Sequence, residues 1–295
     1  SGETIDRLRE VGVEVFIFNP VHEYVNRLYF NYRDHRKIAC IDGDVAYTGG
    51  VNIADEYANL IERFGYWKDS GVCLEGEGAW GLTASFIRMC VNLGGVMHNE
   101  HDYYRPHTPV KSEGFCQPFT DGPQNNPDNP AEDVFLQMIS GARRFLYITT
   151  PYFIPDESLM RALCIAGDGG VDVRLMLPGK PDHWYADCVA ESYFGELIKH
   201  GVKVYRYTPG FLHGKSIMVD REAAFVGSAN MDYRSFELDY ECGVMVYSAP
   251  MIESLLEDMD MIVDRSHLVT AEEWAKRSVL RRVFEPLLRL FAIWM

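Results

Sequence analysis

HRKIACIDGDVAYTGGVN, residues 35–52, and HGKSIMVDREAAFVGSAN, residues 213–230, share one skeleton. Each places a Lys two residues after its His, an Asp seven after, a Gly fourteen after and an Asn seventeen after, and the offset between the copies is 178 residues throughout. A single H-x-K carries little weight, because solvated strand faces hold such pairs by chance. Two copies of a five-point pattern at one offset carry far more. Packing makes a duplicated unit repeat its apolar positions, but it gives no reason for His, Lys and Asn to recur.

The repeat extends outward. GVEVFIFNP (12–20) precedes the first copy and GVKVYRYTP (201–209) precedes the second. Both alternate β-branched and aromatic residues and stop at Pro, which predicts a strand. Downstream, Asp69-Ser-Gly-Val72 matches Glu241-Cys-Gly-Val244, and each leads into a strand, a turn and a helix. The fold class is therefore α/β, with two related α/β lobes fused as a pseudo-dimer. The second half has predicted strands near 145–152 and 171–177 and a helix over 186–200 ahead of its motif. The first half begins inside the equivalent of that helix, so two strands and roughly sixty residues of it are expected to be missing. The expected divisions are 1–120, 121–274 and a tail, 275–295. Residues 105–133, rich in Pro, Asn, Asp and Gly, read as a surface connection.

Alternation puts each His and the Lys two later on one face, so the two motifs are expected to meet across a common cleft. Two His, two Lys and two Asn suit a phosphodiester. Lys37, Lys215, Asn52 and Asn230 can hold the non-bridging oxygens, and Ser228 can add a hydroxyl where the first copy has Gly50. One imidazole can attack phosphorus while the other moves a proton. Asp69 and Glu241, at matched positions, can bond the far nitrogen of each ring and fix its tautomer. Asp42 and Asp220 complete the H-x-K-x4-D pattern and count with the catalytic set, although each falls on the opposite strand face from its Lys, where a structural salt bridge or turn cap is the expected role. No metal cage or cofactor motif is visible. Gly214-Lys215-Ser216 fails as a P-loop because the earlier Gly is Pro209; Gly76–Gly81 is a strand-to-helix turn; His98–His101 reads as a polar loop.

Composition narrows the partners. The 295 residues are 47% apolar and 24% charged, the mix of a folded protein, and the net charge of −15 disfavours nucleic acid. No run of 18 apolar residues is present. Seven cysteines with no C-x-x-C pair point to a reducing compartment. The tail carries Lys276, Arg277, Arg281, Arg282 and Arg289 against Glu285, with Leu280, Val283, Phe284, Leu287, Leu288, Phe291 and Trp294 at helical spacing. Two readings fit it: an amphipathic helix on an anionic membrane, or a helix packed on the core.

The paired H-x-K-x4-D motifs resemble the phospholipase D superfamily. The longer strings resemble bacterial cardiolipin synthases: residues 35–57, Phe64–Asp69, Thr150–Asp156, Leu177–Asp182, Pro209–His213 and Ser228–Glu237. The resemblance covers nearly the whole chain. It implies a phospholipid substrate, phosphatidylglycerol, and transfer of its phosphatidyl group through a phosphohistidine to a second phosphatidylglycerol, with no cofactor. It implies attack by His35 and proton transfer by His213, phosphate held by Lys37, Lys215, Asn52, Asn230 and Ser228, and rings oriented by Asp69 and Glu241. It places the activity at the cytoplasmic membrane, though the membrane helices usual in the family are not found here. Two alternatives stay open: the same chemistry with water as acceptor, and a lipid-binding remnant without turnover.

Overall fold

The computed structural model describes residues 2–20, 31–97, 110–111, 114–123, 129–278 and 288–290. The first half runs α1 (Gly2–Glu10), β1 (Arg33–Asp34), β2 (Ile38–Ile41), β3 (Val45–Gly49), β4 (Tyr66–Lys68), β5 (Gly71–Glu75) and α2 (Trp80–Asn92). Then come β6 (Phe115–Asp121), α3 (Pro130–Gly141), β7 (Phe145–Thr149), β8 (Phe153–Ile154), α4 (Glu157–Asp168), β9 (Asp172–Pro178) and α5 (Trp184–Lys199). The chain continues through β10 (Lys203–Tyr207), β11 (Gly210–Leu212), β12 (Ser216–Val219), β13 (Ala223–Gly227), β14 (Met231–Asp232), α6 (Tyr233–Glu237) and β15 (Asp239–Tyr247). It closes with α7 (Met251–Asp264), β16 (Ser266–Leu268) and α8 (Ala271–Ala275).

Nine of the described strands form one mixed sheet in the order β1-β15-β13-β12-β7-β9-β10-β16, with β6 also paired to β15. Successive residues on a strand face opposite sides. Leu146, Ile148, Val173 and Leu175 join α3, α4 and α5 in one core. Tyr147, Met176, Met218, Val226 and Val244 join α7 and the first half's Ala46, Val72, Leu74 and Leu82 in another. Both faces of this sheet are covered, which is why its strands read as near-continuous apolar runs. The boundary expected at 120/121 falls at the end of β6, a strand of the larger sheet.

The first half's own sheet is β2-β3-β5. β2 and β3 lie 178 residues before β12 and β13, end for end. β12 is covered on its outer edge by β7, whereas no described strand covers β2. The predicted strand over 12–20 is not formed, and 13–20 is irregular. Its counterpart, β10, is held between β9 and β16, and the described first half contains no equivalent of β9. A strand without a neighbour leaves its backbone groups to water. Val13, Phe16 and Ile17 are accordingly exposed. A hollow of about 490 Å³ lies between this segment, β2 and α2, lined by Phe16, Ile38, Phe86 and Met89.

Two short parallel ladders cross between the halves. β1 pairs with the start of β15, setting Asp34 against Tyr240. β4 pairs with β11, setting Trp67 against Phe211 and Lys68 against Leu212. The second ladder needs a close approach at Gly210, where a Cβ would fall 2.2 Å from the Tyr66 carbonyl oxygen. In the tail, Leu288 packs against the second-half core and the Arg289 guanidinium lies 4.0 Å from the Tyr193 ring centroid. These contacts fit a tail held on the body; residues 279–287 and 291–295, with most of the amphipathic pattern, lie outside the described residues, as do His98–His101. Among the described residues no helix is long and apolar enough to cross a membrane.

Gly210→Ala is expected to cost on the order of 2 kcal/mol, since the new methyl meets backbone rather than a movable side chain. Chemical denaturation of the purified protein checks this, and an unchanged midpoint would mean that the β4–β11 ladder is not formed in solution.

Candidate active site

The two H-x-K motifs lie just before β2 and β12, not on them; pairing begins at Ile38 and Ser216. Each Lys consequently curls back to its own His. Lys37 Nζ donates to the His35 carbonyl, and Lys215 Nζ donates to the His213 carbonyl at 2.7 Å. The cross-half ladders then decide the rest. The register Asp34–Tyr240 brings His35 alongside Glu241, and the His35 N–H donates to the Tyr240 carbonyl at 2.9 Å. The register Lys68–Leu212 brings His213 alongside Asp69, and the His213 N–H donates to the Lys68 carbonyl at 2.6 Å. Each imidazole therefore bonds the carboxylate of the other half: His35 Nδ1 to Glu241 Oε1 at 2.8 Å, and His213 Nδ1 to Asp69 Oδ2 at 2.7 Å. With both Nδ1 atoms on carboxylates, Nε2 is the ring nitrogen that faces away from them, and on His213 it lies 3.0 Å from Lys215 Nζ.

The two pairs differ in their surroundings. The His35 side chain is 27% exposed. His213 is 6% exposed, with the rings of Tyr57, Trp67 and Phe211 at centroid distances of 5.1, 5.4 and 5.8 Å. Burial, and then the charge of Lys215, push the His213 imidazole down to about 4, against the pull of Asp69. It is thus neutral at pH 7, donating Nδ1–H to an ionised Asp69. Burial pushes Asp69 and Glu241 up, but the bond from His213 with the charge of Lys215, and the charge and bond of His35, hold the two carboxyls below their ordinary values. Lys215 is wholly enclosed, and burial brings it down to about 7. Lys37 is lowered too, again by burial, with Glu241 and Asp69 opposing.

Comparison with known proteins places this arrangement. Residues 135–263 match the family described as "Cardiolipin synthase, PLD-like domain". A protein named cardiolipin synthase from Halalkalibacterium halodurans is 38% identical over 294 residues, 99% of this chain and 58% of that protein. Cardiolipin synthase 2 of Bacillus anthracis is 37% identical over 294 residues, 99% of this chain and 57% of its own. The chain thus spans about three fifths of the length of the curated relatives it matches. The crystal structure of a phosphatidylserine synthase from Haemophilus influenzae aligns with a TM-score of 0.63 at 16% identity, covering 88% of this chain and 69% of that one, and so shares the fold. The chain is thus similar to cardiolipin synthases over nearly its whole length, and it shares the fold of a solved phosphatidylserine synthase.

Not every residue of the motif points into the cleft. Asp220 accepts the backbone N–H groups of Arg143, Arg144 and Phe145, each at 2.8 Å. It stands with positive φ in the β12–β13 turn, and Asp42 does the same in the β2–β3 turn. Neither bonds an imidazole, because a residue five after the Lys lies at the far end of the strand. Ser228 is likewise diverted from the phosphate expected of it: it is fully buried and its Oγ donates to Glu241 Oε2. Its counterpart Gly50 instead makes room for Asp69, whose Oδ1 would lie 2.2 Å from an added Cβ. Asn52 Nδ2 donates to the Tyr57 hydroxyl at 2.6 Å. Asn230 is buried with Oδ1 unpaired among the described residues. The aromatic rings around His213 escape motif reading. Their signal is spacing: Trp67 on β4 and Phe211 on β11 stand two before Asp69 and His213.

Asp239 also lies at the site. Its ligand atoms and those of His35 and Glu241 fall within 4.8 Å of one another, a set able to hold a divalent cation. Glu241 is already bonded to His35 and Ser228; Asp239 is paired to Arg234 at 3.3 Å, with Oδ1 unbonded among the described residues. Burial pushes Asp239 up to about 7. A carboxyl with a raised folded value binds more protons folded than unfolded between about pH 4 and 7, so stability falls as pH rises through that window. Asp239→Asn is expected to match the wild-type melting temperature near pH 4 and to exceed it increasingly up to pH 7. Melting curves from pH 4 to 8 test this; a gap independent of pH refutes it.

Proposed function

We propose that this chain carries the phosphatidyl-transfer site of a cardiolipin synthase. The two catalytic halves are 1–120 and 121–274, and the substrate is phosphatidylglycerol at a membrane surface. The observation that carries the reading is the pair of crossed imidazole–carboxylate bonds, set beside two lysines lowered by burial. The relatives named cardiolipin synthase support the choice of lipid, and the net charge of −15 disfavours a nucleic-acid polyanion.

In this reading Lys37, Lys215 and Asn230 hold the non-bridging oxygens, and Asn52 holds the Tyr57 hydroxyl. His35, the more open ring, attacks through Nε2. A bond forms from Nε2 to phosphorus as the bond to the leaving glycerol oxygen breaks. The glycerol oxygen takes a proton from His213 Nε2. That proton is available only once the anionic diester is bound, because a negative charge beside the ring raises its proton affinity. In the second half-reaction the hydroxyl of another phosphatidylglycerol attacks phosphorus. His213 takes its proton, the N–P bond breaks, and cardiolipin leaves. Glu241 and Asp69 hold the two rings on their Nδ1 side throughout.

Labelled phosphatidylglycerol in detergent–lipid micelles tests the reading, with cardiolipin and free glycerol as the expected products. His35→Ala and His213→Ala should each lower turnover by roughly 10³-fold or more, and a chelator should leave it unchanged. Denaturing quench at alkaline pH, where phosphohistidine survives, should trap label on the wild type and none on His35→Ala. Phosphatidic acid as the only product would make water the acceptor. A body that binds lipid without turnover is the remaining reading, and absence of any product would support it.

A further inference from the structure

Three aromatic rings close on one imidazole and leave the other partly open. Tyr57 meets His213 edge-on, while Trp67 and Phe211 lie tilted against it and 4.6 Å from each other. Phe64 backs both, at 6.3 and 6.2 Å. Trp67 and Phe211 are cross-strand partners on β4 and β11, so each half contributes to the enclosure. Two polar features break its apolar surface. The Trp67 Nε1–H is buried with no acceptor among the described residues, although a buried indole N–H usually finds one. The Tyr57 hydroxyl accepts from Asn52 and so keeps its own hydrogen free to donate.

We propose that Tyr57, Trp67 and Phe211 select the acceptor: they keep water from His213 and present the Trp67 Nε1–H and Tyr57 O–H to the hydroxyl groups of an incoming polyol headgroup. This inference rests on the transfer reading above and deepens it. Water and an alcohol compete for the same phosphohistidine. In either case an O–P bond forms, the N–P bond breaks, and the acceptor's proton passes to His213 Nε2. Chemistry alone does not separate them. A dry surface with two hydrogen-bond donors does, because water arriving there loses partners that the polyol's further hydroxyls retain.

The experiment is the ratio of phosphatidic acid to cardiolipin formed from labelled phosphatidylglycerol in micelles, read as the mole fraction of acceptor lipid is varied. Trp67→Phe removes the N–H and keeps a ring. Loss of one hydrogen bond of about 1 kcal/mol predicts a ratio raised about fivefold, with the rise shrinking as acceptor lipid becomes denser. Phe211→Leu opens the surface without touching a donor and should raise the ratio at every lipid density. It also stands as the second variant if Trp67→Phe does not fold, which circular dichroism decides. A wild type that makes cardiolipin, with both ratios unchanged, overturns this inference and leaves the transfer reading intact. A wild type that makes only phosphatidic acid, or neither product, removes the transfer reading and this inference with it.

Discussion

A buried carboxylate has to be paired, and Glu241 and Asp69 are each paired with an imidazole from the other half of the chain. Glu241 is fully enclosed and reaches His35; Asp69 is nearly so and reaches His213. Drawing the halves apart would leave two charges without partners in a poorly solvated place, which costs several kcal/mol for each. The short ladders β1–β15 and β4–β11 exist in the same geometry: they set the register, and the register sets the bonds. Folding and site assembly are therefore one event. The candidate site lies at the interface between the lobes, and a chain that failed to dock its halves would have two isolated His–Lys motifs.

Duplication delivers two equal motifs, but the two imidazoles sit in unequal surroundings. The difference arises around the motifs. Ser228 braces Glu241, while Gly50 at the equivalent position leaves space for Asp69. Aromatic residues crowd His213, and His35 keeps part of its surface. Burial then lowers the proton affinity of His213 without changing residue type. That ring is held neutral while His35 stays accessible, the division that the proposed transfer would use.

How far the site could be read in advance follows from the kind of constraint each residue obeys. His35, Lys37, His213, Lys215, Asn52 and Asn230 were legible because they recur at one offset with no packing reason to do so. Asp69 and Glu241 were legible as a matched pair, but their exchange between halves was not. It depends on parallel ladders of two and three residues, too short to carry periodicity. Ser228 has the type of a phosphate ligand, and only its burial reveals that Glu241 takes its hydroxyl. The stretch 12–20 has the composition of a strand, yet strand formation needs a neighbour, and no local pattern supplies one. The lobes of the second half were readable because its strands are covered on both faces and its helices are long.

The lysines explain why so polar a centre is kept enclosed. Lys215 is buried among Asp69, Glu241, Asp232 and Lys37, and its proton affinity falls to about 7. Near neutral pH it is therefore divided between the charged and neutral forms. Under the proposed function, a bound phosphodiester would add a negative charge within the cleft and raise the proton affinity of both Lys215 and His213, which burial lowers in the free protein. The free site would then avoid holding two full positive charges out of water and gain them on binding. A surface lysine would be charged at all times and screened by solvent, so it would contribute little that is specific to the transition state. Enclosure of Lys215 costs stability in the free protein, and under the proposed function it would make that residue's full charge conditional on a bound phosphate.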